Sequence, residues 1–398
     1  SNFISLLLFQ YFDTAFTFPD VFKYYFNARV ALVAGIISAI GYAGFTSAQI
    51  LAGAKLANGT FQGLDLQTAV IIMGTVAVLY TVMGGLKAVI YTDTVQWALL
   101  MIGLIFVGIP ISYYAVGGWS AIQSTLDPQM LSMMNMTWQD VVYWGATIIP
   151  IWFVGMTLYQ RIYACRDEKT AKKAWFIAGL FEWPVMAFMG VALGLFARVA
   201  ADQGMFAYLG PENIDQTDPE TGLPMLLRTV LPVGFLGIMM SAYFSAILST
   251  ADSCLMASSG NIVSDIIGYF REVDHDAPQF LRFSQITTLI IGTLALLIAL
   301  SMENVLDLML QSYAFMVSGL FVPILGALYW PRSSSTGAIT AMIGGGATTV
   351  AIQQLVENIP YGLDANVFGI TASAVIFITV SLLLPDRPEH EIRNRNTQ

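Results

Sequence analysis

Apolar side chains dominate this chain of 398 residues, since 56% of its residues are hydrophobic and only 11% are charged. Soluble globular proteins contain roughly 25% charged residues, so the composition excludes a water-soluble fold and predicts a membrane protein. The formal net charge is −9, which argues against nucleic acid as a partner.

Ten windows of the sequence are apolar and long enough to cross a bilayer, which takes about 20 residues. They lie at 29–57, 67–89, 92–116, 141–163, 173–200, 233–268, 282–301, 305–330, 336–356 and 366–385. The apolar segment before them, 2–18, is short and follows neither a Met nor a charged leader, and we interpret it as the end of a longer helix. We therefore predict an all-α polytopic membrane protein that is N-terminally incomplete, with residues 1–398 forming one transmembrane domain of about ten full helices and a partial first one.

Basic residues are distributed unevenly between the two sets of loops that alternating membrane helices would produce. Fourteen of the 17 Lys and Arg residues fall in one set, which includes the 161–173 loop and the C-terminal tail. Because Lys and Arg stay on the cytoplasmic side of a membrane, we predict a cytoplasmic C-terminus. The predicted location is the plasma membrane, with the bacterial inner membrane as the first choice.

One hydrophobic helix carries a row of hydroxyl groups and a carboxylate. At helical spacing, one of its faces presents Ser241, Ser245, Ser249, Asp252 and Ser253. Oxygen atoms along one face are what a hard cation requires, and we interpret this helix as a sodium site. A charge in the membrane interior costs about 2.5–3.5 kcal/mol, so Asp252 should bind a cation or have a charge partner.

Two other carboxylates lie in or beside predicted membrane helices. Asp93 opens a helical run, where negative charge is favourable, so a helix cap competes with a cation ligand as its role. Glu182 precedes Pro184, which leaves a backbone carbonyl without its helical donor. Glu182 could face a substrate cation, take up a proton or make an interhelical hydrogen bond, and the sequence leaves these alternatives open.

Five short motifs occur in a fixed order along the chain. They are FPD at 18–20 before FN at 26–27, LAGAKL at 51–56, GGLKAVIYTDTVQ at 84–96, YQR at 159–161 before a basic loop, and LSTADS at 248–253. Any one of them is a weak signal. Together, at this spacing and over essentially the whole chain, they resemble the solute:sodium symporter family.

The resemblance implies a LeuT-like fold, in which two inverted five-helix repeats surround a central site formed by broken helices. It implies that Ala246, Ser249 and Thr250 belong to the family's sodium site, completed by a discontinuous first core helix that we expect to be missing from this sequence. A second, more cytoplasmic sodium site of some members maps onto Asp93, Ser249, Asp252 and Ser253. This mapping favours a cation ligand over a helix cap for Asp93.

Solute recognition is less sharply defined by the sequence. By the resemblance, Ile148 stands where the sugar carriers have an asparagine, which argues against a hexose. The residues that could face the solute are Phe45, Gln49, Trp152, Glu182 and Gln311. An amino acid, a carboxylate and sialic acid all remain open as the solute.

The predicted function is sodium-coupled symport, in which a small organic solute is imported by alternating access. Each sodium ion that enters releases about 2.3 kcal/mol per 100 mV of membrane potential. A proton-coupled carrier of the same fold and a transporter-like membrane sensor module are the alternatives. An enzyme is not expected, because the sequence offers no nucleophile and base pair and no metal-binding histidine set. The expected partners are sodium, the solute and the lipid bilayer.

Overall fold

The computed structural model describes residues 17–132, 134–209, 218–271, 278–356 and 359–386. Within these ranges only the backbone is described at 84–93, 163, 183 and 278–279. Every regular element in the described part of the chain is a helix.

The helices of the first half begin with a short turn and continue with long apolar segments. They are α1 (Pro19–Tyr25), α2 (Ala28–Thr60), α3 (Leu66–Gly103), α4 (Ile109–Ala115), α5 (Gly118–Thr125), α6 (Trp138–Val154), α7 (Met156–Tyr163), α8 (Glu168–Phe181) and α9 (Ala187–Asp202). The second half contains α10 (Gly222–Val230), α11 (Val233–Gly260), α12 (Gly268–Phe270), α13 (Pro278–Leu300), α14 (Val305–Tyr329), α15 (Ser335–Leu355) and α16 (Ala365–Leu383). Three π-helical segments join α3 to α4, α8 to α9 and α11 to α12, at Leu104–Gly108, Glu182–Met186 and Asn261–Ile267.

The number of membrane spans agrees with the ten predicted windows. Nine segments of the described residues are long and apolar enough to cross a membrane, and α6 with α7 forms a tenth, bent by 41°. The predicted windows 67–89 and 92–116 correspond to two of these segments, Leu66–Met83 and Thr94–Ala115, and the backbone between the two stays helical. Residues 90 and 91 are Ile and Tyr, so no proline or glycine interrupts the helical hydrogen bonds at that point.

The break between α6 and α7 divides what the sequence predicted as one span. Gly155 has an extended backbone there, with φ −71° and ψ 102°, and Pro150 has already removed one amide donor from α6. Polar side chains replace the lost helical bonds. The Tyr159 hydroxyl donates to the carbonyl of Phe153 at 2.7 Å, and the Thr157 amide donates to the hydroxyl of Tyr42, on α2, at 3.2 Å.

The span formed by α8 and α9 bends without breaking. Pro184 lies inside the π-helical segment Glu182–Met186, so the helix absorbs the proline by widening one turn. At its beginning, the Thr170 amide donates to the Asp167 carboxylate at 2.7 Å, and this bond is the main cause that lowers the pKa of Asp167 to about 2. The cap fixes where α8 starts.

The core lies around α2, which is the most enclosed of the described spans, with 67% of its apolar window buried. α11 packs against α2 and α3, while α14 packs against α2 and α6. α15 and α16 pack on each other and on α14. The helix that carries the predicted sodium ligands, α11, therefore lies against the centre of the molecule.

A buried ion-pair cluster joins three elements at one end of α2. Lys55 is only 3% exposed, and its Nζ lies 2.8 Å from Asp218 and 2.6 Å from Glu220. The Glu220 carboxylate also accepts hydrogen bonds at 3.0 Å from the amides of Val305 and Leu306, the first residues of α14. A cationic side chain inside the membrane protein is thus fully compensated.

Small residues allow α14, α15 and α16 to approach closely. A Cβ on Gly345 would overlap with the carbonyl oxygen of Ser318 and would lie 3.1 Å from that of Gly369. Ser318 is itself fixed by hydrogen bonds at 2.6 Å from Thr349 and at 2.8 Å to Asn366. The backbone of Gly345 therefore packs directly against its neighbours.

We predict that Gly345→Ala lowers the thermal unfolding midpoint of the detergent-solubilised protein, because relieving the overlap should cost about 1–3 kcal/mol. Gly194→Ala on α9 is the matched control, since nothing lies within 4 Å of its added Cβ and alanine favours a helix by up to about 1 kcal/mol. Equal midpoints for the two variants would contradict the close packing.

Candidate functional site: a hydroxyl cluster beside an aromatic cavity

The middle of α11 brings together three oxygen atoms, which are two hydroxyls and the carbonyl to which both donate. The hydroxyls of Ser249 and Thr250 each donate to the carbonyl of Ala246 at 3.1 Å, and both residues are half-buried. Each hydroxyl keeps its lone pairs for another ligand. Oxygen atoms about 3 Å apart can share a cation at metal–oxygen distances of about 2.3–2.6 Å, as in calcium sites. The structure thus brings together the first three predicted sodium ligands.

Ser253, one turn further along α11, contacts a different neighbour. Its hydroxyl donates to the carbonyl of Ser249 at 2.9 Å and accepts a hydrogen bond at 3.0 Å from the guanidinium of Arg161, on α7. The same guanidinium donates to the carbonyl of Thr157 at 3.0 Å. A cation bound at Ser253 would therefore lie beside a positive charge, which opposes its binding unless carboxylates compensate.

Asp252 is completely buried and turns toward α3. The hydroxyl of Thr81 is hydrogen-bonded to its carboxylate and, at 2.8 Å, to the carbonyl of Ala77. The carboxylate thus ties α11 to the helix that carries Asp93. The side chain of Asp93 lies outside the described residues, so its predicted approach to Ser253 stays a prediction.

A cavity of about 550 Å³ lies where α6, α7 and α8 meet. Its wall is mostly apolar, and its charged side chains are Arg161 and Glu182. Two of the predicted solute residues, Trp152 and Glu182, come together in this wall. Its size and its few polar groups are typical of a site for a small molecule.

Trp175, which the sequence analysis did not single out, also lines the cavity. Its ring centroid lies 5.9 Å from that of Trp152, with the two indoles edge to face at 89°. The signal for Trp175 was present in the sequence, because it lies seven residues before Glu182 and therefore on the same face of a helix. Arg161 belongs to the YQR motif at 159–161. That motif did not predict that Arg161 lines the cavity.

Glu182 reaches the cavity from the π-helical segment that joins α8 to α9 and is exposed there. The ring of Phe45, on α2, stacks on that of Tyr313, on α14, with the centroids 4.8 Å apart and an interplanar angle of 12°. Phe45 does not line the cavity, so its role in solute binding stays a prediction. Gln49 is half-buried on α2 and Gln311 is exposed on α14, and neither lines the cavity, so their role in solute binding stays a prediction.

Comparisons with known proteins agree with this arrangement. A model of the sodium:solute symporter family matches residues 4–345. An osmoregulated proline transporter of Bacillus subtilis is 28% identical over 352 residues, which cover 85% of this chain and 68% of that protein. A sodium/proline symporter of Staphylococcus aureus is 24% identical over 387 residues, covering 93% and 73%.

Among solved structures, a Na⁺-coupled sialic acid symporter in a substrate-bound outward-open state superimposes with a TM-score of 0.76. The sequence identity is 19%, and the match covers 96% of this chain and 80% of that one. This likeness confirms the predicted all-α, LeuT-like fold.

We predict that Asp252→Asn inserts into the membrane but weakens the response of uptake to sodium, because the amide still accepts from Thr81 while the charge is lost. In the unmodified protein, uptake should fall at acid pH as protons compete with sodium for the carboxylate. Uptake into vesicles over a range of sodium and pH measures both effects.

Thr81→Val is the control, since it removes the hydrogen bond and keeps the charge. Its sodium dependence should change by less than about twofold. If Asp252→Asn showed the sodium and pH profiles of the unmodified protein, Asp252 would serve only to pack α11 on α3.

Proposed function

Because this chain belongs to the sodium:solute symporter family, we propose that Ala246, Ser249 and Thr250 bind the sodium ion whose entry drives solute uptake. Family membership itself confirms several predictions: sodium-coupled symport of a small solute, sodium as the coupling ion, and a transporter rather than an enzyme. It favours sodium over the proton-coupled and sensor alternatives.

One observation carries the assignment of the sodium ligands. Two hydroxyls and the carbonyl that they share lie together, half-buried, on a helix that otherwise packs against the apolar core. A sodium ion takes up the lone pairs that these three oxygen atoms leave free.

A second cation position is proposed at Ser253, with Ser249, Asp252 and Asp93 as the other groups of the set. Arg161 holds the Ser253 hydroxyl in this structure. A sodium ion at this position would displace the guanidinium, and the carboxylate of Asp252 would offset its charge. Occupation of this position would therefore be coupled to movement of Arg161.

Arg161 supports a link between ion binding and solute binding. Its side chain lines the cavity and also donates to Ser253, four residues from Ser249. We propose that the cavity, with Trp152 and Glu182 in its wall, receives the solute, and that Phe45, Gln49 and Gln311 contact it on its passage. Sodium would then bind more tightly to one conformation of the break between α6 and α7 than to the other, and its binding would increase the population of that conformation.

We place the protein in the bacterial plasma membrane with its C-terminus in the cytoplasm. The relatives are bacterial transporters. The 14 of 17 basic residues that fall in one set of predicted loops support this orientation.

The test of coupling is uptake into sealed proteoliposomes with the sodium and proton gradients imposed separately. With proline, glycine betaine and sialic acid as probes, an inward sodium gradient should concentrate at least one of them above its external level. Sodium that enters down its gradient releases free energy, which drives accumulation of the solute. Equal accumulation driven by a proton gradient without sodium would contradict the proposal.

The test of the ligands is the double variant Ser249→Ala and Thr250→Ala. Loss of two oxygen ligands, each worth about 1.5–3 kcal/mol to a charged group, should raise the sodium concentration for half-maximal uptake at least about tenfold. Ser241→Ala is the matched control, because its exposed hydroxyl donates to the carbonyl of Gly237 on the same helix. An unchanged sodium requirement in the double variant would contradict the proposal that Ser249 and Thr250 bind sodium.

A further inference from the structure

We propose that the cavity between α6, α7 and α8 recognises an ammonium group on the solute, with Glu182 as its counter-ion and the indoles of Trp152 and Trp175 as its cation–π partners. The proposal rests on the assignment of this cavity to the solute. It narrows the solute to molecules with a positively charged nitrogen, such as an amino acid, a betaine or a quaternary amine.

Glu182 has no partner of its own in the part of the chain that the structure describes. Among the described residues, no basic side chain pairs with its carboxylate and no donor bonds to it. It lies 14 residues from the start of α8, which is about 21 Å of helix and hence deep in the bilayer. An uncompensated carboxylate at this depth is unfavourable, and a cationic ligand removes the penalty.

Aromatic rings share the cavity wall with this carboxylate. Trp152 and Trp175 line the same cavity, with ring centroids 5.9 Å apart. Indole is the aromatic ring that attracts cations best, when the charge lies within about 6 Å of the ring centroid. A ligand with an alkylated ammonium group would gain apolar contact and charge attraction from the same wall.

Arg161 adds a positive charge to the cavity wall, opposite in sign to that of Glu182. Its guanidinium is bonded to Thr157 and Ser253, so its charge is fixed on the side of the wall that α7 provides. A purely anionic solute would be repelled by Glu182, and a neutral sugar would leave the carboxylate uncompensated. A cationic or zwitterionic solute satisfies Glu182, and a zwitterion places its negative end toward Arg161.

The test uses pairs of probes that differ only in the charged nitrogen. L-proline is compared with tetrahydrofuran-2-carboxylate, in which oxygen replaces the ring nitrogen, and choline with 3,3-dimethylbutan-1-ol, in which carbon replaces it. Binding to the purified protein in saturating sodium is followed by tryptophan fluorescence. In at least one pair the member with the positively charged nitrogen should bind at least about tenfold more tightly than the member without it.

Variants connect this preference to the cavity. Glu182→Gln should reduce the preference to less than about threefold and Glu182→Asp should retain part of it. Trp175→Leu should weaken the charged probe more than Trp175→Phe, which keeps an aromatic face. Glu168→Gln is the matched control, because Glu168 pairs with Lys172 on the same helix and does not line the cavity.

Sodium binding separates this proposal from the proposed sodium site. Glu182→Gln should leave the half-saturating sodium concentration unchanged, whereas the Ser249 and Thr250 variants should raise it and keep the preference for ammonium. Equal binding of the probes with and without a positively charged nitrogen, or no binding of L-proline and of choline at millimolar concentration, would overturn the proposal. A rise in the sodium requirement of Glu182→Gln without loss of the preference would also overturn it, since Glu182 would then be a sodium ligand.

Discussion

The lack of water in the bilayer is the constraint on which this architecture depends. Every backbone amide and carbonyl inside the membrane needs an internal partner, so a helix can break only where side chains replace its hydrogen bonds. Tyr159 and Tyr42 do this at Gly155, by accepting or donating the bonds that α6 and α7 lose. The cavity borders this break, because separated helix ends leave room that a continuous helix would fill. The polar groups that permit the break also define the site.

Coupling in a symporter requires that two ligands bias the same conformational equilibrium, and this coupling is reciprocal. The contacts of Arg161 provide a physical basis for it. The side chain lines the cavity, bonds to the α7 backbone through Thr157, and bonds to α11 through Ser253. Any movement of α7 against α11 must exchange these bonds. If sodium and the solute bind at the two proposed sites, binding at either site therefore changes the free energy of binding at the other.

Features set by neighbouring residues could be predicted from the sequence, while features set by distant ones could not. Ser249 and Thr250 meet the carbonyl of Ala246 because helical spacing alone brings them there. The bond between Thr81 and Asp252 joins residues 171 positions apart, and no periodicity encodes which face of α3 meets α11. The same limit applies to Trp152 and Trp175, whose rings meet from two different helices, α6 and α8.

The charges of Lys55 and Glu182 differ in how the protein compensates them. Lys55 is buried beside two carboxylates, and one of them also caps α14, so every group in that cluster is compensated by the protein itself. Glu182 lines a cavity with two indoles, and no salt bridge to it is found among the described residues. A charge without a partner is costly inside a membrane. A charge that only stabilises the fold can be compensated permanently, whereas Glu182, in the role proposed for it, must be left for the solute to compensate. The difference between the two sites follows from that requirement.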